Sequence, residues 1–311
     1  MAAVNILSNV GVWIIMGIIC AIVIGPLGDI SSTLIVIVLI IQMTLSMDGL
    51  SFSSKTIREN KKAITYSLIA CFGISTIAAL LLGSLFIENY PEIWKGWVML
   101  AAVPCAVSVV TVSFFSKGNT AMCVLSLVVI YLLALAVTPL ITLTFIGESV
   151  SVPKILSYVV LFIAVPIAAS FPLKKVNISR TVRIVVINAM LFFLVFMSLG
   201  QNREYLFSET GVVFLVAVAC AVRVFAVSFI VLYLLKKRGA GRDNSMVYVP
   251  MAVWKNSGLG VTLCFVLFGN MAEAAIPCAI SLLVELLWFA VMTNYIEKIW
   301  PSSSGTASQT N

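Results

Sequence analysis

The sequence predicts an all-α polytopic membrane protein. Its ten transmembrane helices form two inverted five-helix repeats, with helices 4 and 9 broken and crossing near the midplane. Three observations carry this reading. Hydrophobic residues make up 61% of the 311-residue chain and charged residues only 10%, a balance foreign to soluble globular domains. Apolar stretches of about 20 residues, each long enough to span a bilayer, recur along the whole chain. Positive charge falls in alternate loops. Hydrocarbon offers no water to backbone amides, so spans at this density are helices.

The spans read 9–27, 31–52, 62–87, 96–115, 120–146, 153–172, 180–199, 210–235, 246–268 and 274–296. Residues 1–8 lack a basic n-region, and 9–27 has the length of a first span rather than of a cleaved signal. One set of loops holds Lys55, Arg58, Lys61, Lys62, Lys117, Lys174, Lys175, Arg180, Arg183, Lys236, Lys237, Arg238 and Arg242, with Lys298 after the last span. The other set holds only Lys95, Lys154 and Arg203. This bias places the first set, and both termini, in the cytoplasm of a chain set in the plasma (inner) membrane. Residues 1–152 form the first repeat, 153–298 the second, and 299–311 a polar tail expected to be disordered. The net charge of +7 sits in loops and sets orientation, so no nucleic acid is expected as a partner. No soluble protein partner is implied either; the partners are the lipid bilayer and a small solute. Seven cysteines are scattered singly, without a CxxC pair, and histidine is absent. Neither a disulfide framework nor a metal site follows, and no cofactor is expected.

Five spans per half make the halves opposite in orientation, the design of inverted-repeat transporters. Span 4 carries VPCAVSVVTVSFFSKGN (103–119) and span 9 carries WKNSGLGVTLCFVLFGN (254–270). Each has a helix-disturbing cluster near its start: Pro104 with Ser108 in one; Lys255, Asn256, Ser257 and Gly258 in the other. Matching interruptions in the two halves point to a binding site, although Pro and Gly are also common in membrane helices for packing reasons alone.

These helices resemble those of the bile acid:sodium symporter family, and the resemblance is collinear over about residues 10–297. NSGL (256–259), Phe268-Gly269 and AAIPCAI (274–280) are similar to the family's NSGLA, FG and AAIPAAI. Pro104 and SKGN resemble its helix 4 segment, and MTLSMDGLSF (43–52) its methionine-glycine-leucine stretch. The resemblance implies the ten-helix fold and, for the core, helices 3, 4, 5, 8, 9 and 10. Its sodium ligands are not reproduced. The family's Glu and Gln in helix 9 fall on Met251 and Lys255, its Ser-Asn pair in helix 4 on Val109 and Val110, and its helix 5 ligands on Cys123 and Leu127. A helix 3 glutamine falls near Cys71. Sodium needs hard oxygens, which Val, Met, Leu and Cys side chains lack. The resemblance therefore implies the fold without the coupling ion.

Lys255 stands where a sodium ligand is expected. Its ammonium can replace the ion, satisfy the carbonyls of a broken helix and hold the crossover. Burial disfavours the charged form of an amine, which also makes Lys255 a candidate proton carrier. A bracing charge paired with a carboxylate is the plainer alternative. Arg223, mid-span 8, and Glu285, mid-span 10, lie at equal depth and suit a buried pair; Arg223 is alternatively a fork-shaped donor to an organic anion. Half-helix N-termini after Pro104 and Asn256 favour an anion at the midplane. Ser108, Thr111, Ser113, Thr262 and Asn188 are candidate cavity hydroxyls and amides, or groups that back-bond within their own helices. Met43, Met47, Met190 and Met197 line an apolar cavity or pack the core. Asp48 reads as a solvated or capping residue at the end of span 2.

The expected function is secondary active transport, or facilitated movement, of small organic anions by alternating access. It is expected to be proton-coupled or uncoupled rather than sodium-coupled. A cation/proton antiporter of related fold and a non-transporting membrane sensor are the alternatives; the antiporter needs Glu285 as its carboxylate. No enzyme signature such as GxSxG or paired aspartates is present.

Overall fold

The computed structural model describes residues 9–28, 30–47, 54–147, 151–173, 175–176, 178–269 and 271–299. Helices account for nearly all of them: α1 (Val10–Ile24), α2 (Ile30–Met47), α3 (Lys61–Phe86), α4a (Pro91–Ala102), α4b (Val109–Phe115), α5 (Thr120–Ile146), α6 (Val152–Leu173), α7 (Arg180–Gln201), α8 (Thr210–Lys237), α9a (Arg242–Val253), α9b (Ser257–Phe268) and α10 (Ile276–Ile299). Among these, α3, α5, α6, α7 and α8 are long and apolar enough to cross a membrane, and α1, α2 and α9b contain shorter apolar stretches.

The ends follow local chemistry. Asn9, Asn119, Ser179 and Asn256 each accept a backbone N–H from the first turn of the helix they cap, satisfying donors that the helix leaves free. Proline opens α4a and lies in the first turn of α6, where its missing N–H costs nothing.

Several expected boundaries shift. Span 4 starts at Pro91, five residues before 96, and span 9 at Arg242, four before 246. Both early starts carry charged residues, Glu92 in one and Arg242 with Asp243 in the other, that an apolar window misses. Short helices Ser54–Glu59 and Arg203–Ser208 occupy stretches read as loops. Two π-helical turns, Ile69–Ile74 in α3 and Val160–Ala164 in α6, have no sequence signature. Asp48 and the tail after Ile299 lie outside the described residues.

Packing divides the helices into two groups. In one, α7 lies along α1 and α2, and α6 packs on α2. In the other, α8 packs on α10 and α9a, α4a on α3, α5 and α10, and α9b on α10 and α4a. The groups meet where α9b touches α2 and where α5 touches α6. Among the described residues the backbone makes one isolated antiparallel bridge, between Cys105 and Lys255. It joins the breaks of helices 4 and 9.

Close approach of α4a to the start of α10 depends on Gly96. A Cβ there would lie 2.1 Å from the carbonyl oxygen of Ala274 and 2.8 Å from Pro277 Cδ. Small residues let membrane helices approach in this way. Gly96→Ala is expected to destabilise the protein by about 1–3 kcal/mol, the usual cost of forced overpacking. Gly211→Ala, whose Cβ meets nothing within 4 Å, is expected to stay within about 0.5 kcal/mol. Thermal unfolding of both variants in detergent checks this.

Candidate functional site

The site is the crossing of the two breaks. Helix 4 stops at Ala102 because Pro104 supplies no N–H to continue the ladder and disfavours helical backbone at Val103; Val103 is extended (φ −69°, ψ 151°). Helix 9 stops at Val253, with Trp254 extended (φ −98°, ψ 94°). Trp254 lies edge-on to Trp288, with ring centroids 6.0 Å apart, and this fixes the break against α10. Between the helix ends the two chains pair: Ala106 N–H donates to Trp254 O at 3.0 Å and Asn256 N–H to Pro104 O at 2.8 Å.

A helix that stops inside protein leaves its last carbonyls without partners. At the end of α4a these carbonyls converge on Lys255. Its Nζ donates to Val103 O at 2.8 Å, Ala101 O at 2.9 Å, Cys71 O at 3.1 Å and Thr76 Oγ1 at 3.3 Å. Thr76 in turn donates to Ala101 O at 2.8 Å, and Thr138 Oγ1 to Ala102 O at 2.9 Å. The Cys71 carbonyl points out of its helix because it belongs to the π turn of α3. There Ser75 N–H reaches back five residues to Ala70 O, which disturbs the regular ladder. The Phe72 ring centroid lies 5.5 Å from the ammonium, a cation–π contact. Lys255 is 1% exposed. Its ammonium is thus held in a cage of neutral oxygens; the nearby carboxylate, Glu285, accepts the Lys255 backbone N–H instead, at 3.2 Å.

The second half-helix end has its own cation. Arg223 donates through Nη1 to Val253 O, the last carbonyl of α9a, at 3.1 Å. Through Nη2 it donates to Glu285 Oε1 and to Ser281 Oγ, both at 2.6 Å. Arg223 and Glu285 are a buried ion pair with fully enclosed side chains. Glu285 also accepts from Ser281 Oγ at 2.9 Å and, on Oε2, from Ser257 Oγ at 3.3 Å. The N-terminal end of α9b, expected to face a substrate anion, therefore already meets an internal carboxylate. Cations lie at two helix C-termini and an anion at one N-terminus, each with the sign that the helix dipole favours.

The remaining sequence candidates divide. Asn256 caps α9b by accepting Leu259 N–H at 3.1 Å, and its Nδ2 donates to Tyr131 Oη at 2.9 Å and Met43 Sδ at 3.3 Å. Gly258, expected within the break, belongs to the first turn of α9b, because the Asn256 cap restarts the helix at Ser257. Thr262 back-bonds to Gly258 O at 2.9 Å. Met251, Val109 and Cys123 are fully buried, and Val110 is half-buried. Asn188 is buried within α7 and Ser108 is exposed. The side chain of Thr111 lies outside the described residues. Thr76, Tyr131, Ser281 and the carbonyl of Cys71 join the site without having been anticipated. A lone Thr, Ser or Tyr in an apolar run carries no signal of its own, and only the Asn256 amide hints that a neighbour must answer it.

A cavity of about 370 Å³ opens between the two helix groups. Its walls include Ile18 of α1, Leu199 of α7, Val213 of α8 and Val284 of α10; Arg203 is the one charged residue on the lining, and the surface that faces the cavity is apolar.

The model of the sodium bile acid symporter family matches residues 33–209, more than half of the chain. The matched region includes α3, α4a, α4b and α5, and ends before α8 and α9. No curated protein sequence matches the chain.

Proposed function

The chain belongs to the sodium bile acid symporter family, and from that premise we propose that it carries small organic anions by alternating access without using sodium. It is an integral membrane protein of a transporter family. In the proposed cycle the group of α1, α2, α6 and α7 moves against the group of α3, α4, α5, α8, α9 and α10. Ten spans in two inverted repeats, with both termini in the cytoplasm, complete the arrangement, and the chain sits in the plasma (inner) membrane.

The observation that carries the sodium-independent reading is the Lys255 cage. Four oxygens within 3.3 Å already surround the Lys255 amino group, which in its charged form occupies the place of an ion. A sodium ion added beside it would meet strong repulsion at low dielectric. Val109, Met251 and Cys123 supply no hard oxygen in its place. The cycle then runs uncoupled or on protons. The aliphatic walls of the cavity support a solute with a sizeable apolar body. The antiporter reading is weaker: Glu285, its one candidate carboxylate, is engaged by Arg223.

Purified protein in proteoliposomes, offered a panel of radiolabelled carboxylates and sulfonates, tests the reading. Uptake of at least one above protein-free vesicles supports it. Cation–proton exchange without anion uptake overturns it.

A further inference from the structure

We infer that the C-terminal end of α8 and the turn after α4b form a binding site for the headgroup of an anionic phospholipid whose acyl chains lie along α8. The sequence gathers the charge: KKRGAGR (236–242) holds four cations in seven residues. Lys236 and Lys237 close the last turn of α8, and Arg238 caps it. Gly239 takes the left-handed conformation (φ 67°), and its N–H donates back to Lys236 O at 3.0 Å. Three residues later α9a begins at Arg242, so the four cations stay together.

A fifth cation comes from helix 4. Lys117 follows α4b, and its turn is tied to the start of α9a. Asn119 N–H donates to Asp243 O at 3.0 Å, and a Cβ on Gly118 would lie 2.7 Å from Met246 Cβ. Lys117 has φ 54° and is the one described non-glycine residue with a positive φ. Gly118 N–H donates to Ser113 O at 2.7 Å, which makes Lys117 the left-handed residue that ends the helix. Glycine fills that place without strain. A lysine kept there against its backbone preference points to a use for its charge. Lys117, Lys236, Lys237 and Arg238 are exposed and Arg242 is half-buried. Among the described residues none of the five has an ion-pair partner, and Asp243 is the one acidic residue between 236 and 253. Orientation in a membrane asks only for positive loops. It does not ask for unneutralised cations on two turns tied to the same helix end.

The surface beside the cations decides the occupant. Phe229, Ile230, Tyr233 and Leu234 lie on the outside of α8, in the two turns before Lys236. Tyr233 is 66% exposed, and Tyr295 of α10, also exposed, stands edge-on to Phe229 with ring centroids 5.3 Å apart. Exposed tyrosines suit the headgroup level of a bilayer. A free phosphate or an acidic peptide would use the cations and leave this apolar face bare. A phospholipid covers both, with its chains on the face and its phosphodiester against the cations. In the proposed orientation this end faces the cytoplasm, the side where anionic lipids concentrate.

The inference goes beyond the transport reading, and its readout is binding, so it stands or falls without uptake. Purified protein in detergent is titrated with phosphatidylglycerol or phosphatidylcholine, and bound lipid is counted by native mass spectrometry. Wild type is expected to prefer phosphatidylglycerol. Each cation near an anionic surface strengthens binding about fivefold. Phosphatidylglycerol affinity should therefore fall about fivefold in Lys117→Gly and at least about tenfold in Lys236→Gln/Lys237→Gln. Lys117→Gly should melt no lower than wild type, because glycine accepts the turn. Lys174→Gln/Lys175→Gln, which removes the same dipeptide after α6, is expected to bind like wild type. Equal binding of the two lipids would overturn the inference. So would an equal loss in Lys174→Gln/Lys175→Gln, which would mean diffuse charge. Displacement of phosphatidylglycerol by inorganic phosphate, but not by chloride at equal ionic strength, would replace the lipid site with a small-anion site.

Discussion

Lys255→Ala is expected to abolish sodium-independent uptake and to make the protein's stability respond to sodium. The substitution deletes a cation but leaves Ala101 O, Val103 O, Cys71 O and Thr76 Oγ1 converging on the vacated space. Buried carbonyls without partners cost about 1–3 kcal/mol each, so the variant should lose at least about 3 kcal/mol even after partial relaxation. Thr76 can still donate to Ala101 O, which limits the damage. A small hard cation fits the remaining oxygens. Thermal unfolding in detergent, compared in sodium chloride and in choline chloride, should show sodium-specific stabilisation of the variant and none of the wild type. Equal melting of Lys255→Ala in both salts would show that the cage does not stand in for an ion.

The second large effect concerns the other cation. Glu285→Gln leaves the Arg223 guanidinium buried without its counter-charge, and breaking a buried pair in this way costs about 3–5 kcal/mol. Arg223→Met leaves the Glu285 carboxylate buried without its counter-charge and Val253 O without the guanidinium donor, and should cost a similar amount. In the double variant the two penalties partly cancel, because no lone charge remains. Its cost should fall short of the sum of the single variants by about 2 kcal/mol. Full recovery is not expected, since the glutamine amide offers one acceptor oxygen where the carboxylate offered two, to the Lys255 N–H and to the Ser257 hydroxyl. Additive single costs would mean that the pair is not energetically coupled.

The sequence made some of this legible and hid the rest for physical reasons. Interruptions at Pro104 and at Lys255–Ser257 are written in residue types that disturb helices, and the structure breaks both helices there. The depth of Arg223 and Glu285 in their spans was enough to expect a pair, because unpaired charge in hydrocarbon is costly. The partners of Lys255 were hidden. Three of its four oxygens are backbone or belong to a π turn, and IACFGI (69–74) looks like any apolar helical run. Tyr131 and Thr76 were hidden as well, since a polar atom inside a span announces its need for a partner but not which residue meets it. Dipole grounds alone favour an anion at the N-terminal end of α9b. The dipole argument is sound, but it does not say whether the anion is a solute or a side chain 28 residues further on, and here it is Glu285.

The central claim is that a resident lysine replaces sodium. Its most direct test is uptake of a transported anion into proteoliposomes under an imposed sodium gradient, an imposed proton gradient, or neither, for wild type and Lys255→Gln. The account predicts wild-type uptake that is indifferent to the sodium gradient and at least tenfold lower in Lys255→Gln. Wild-type uptake driven by sodium, and retained in Lys255→Gln, would contradict it.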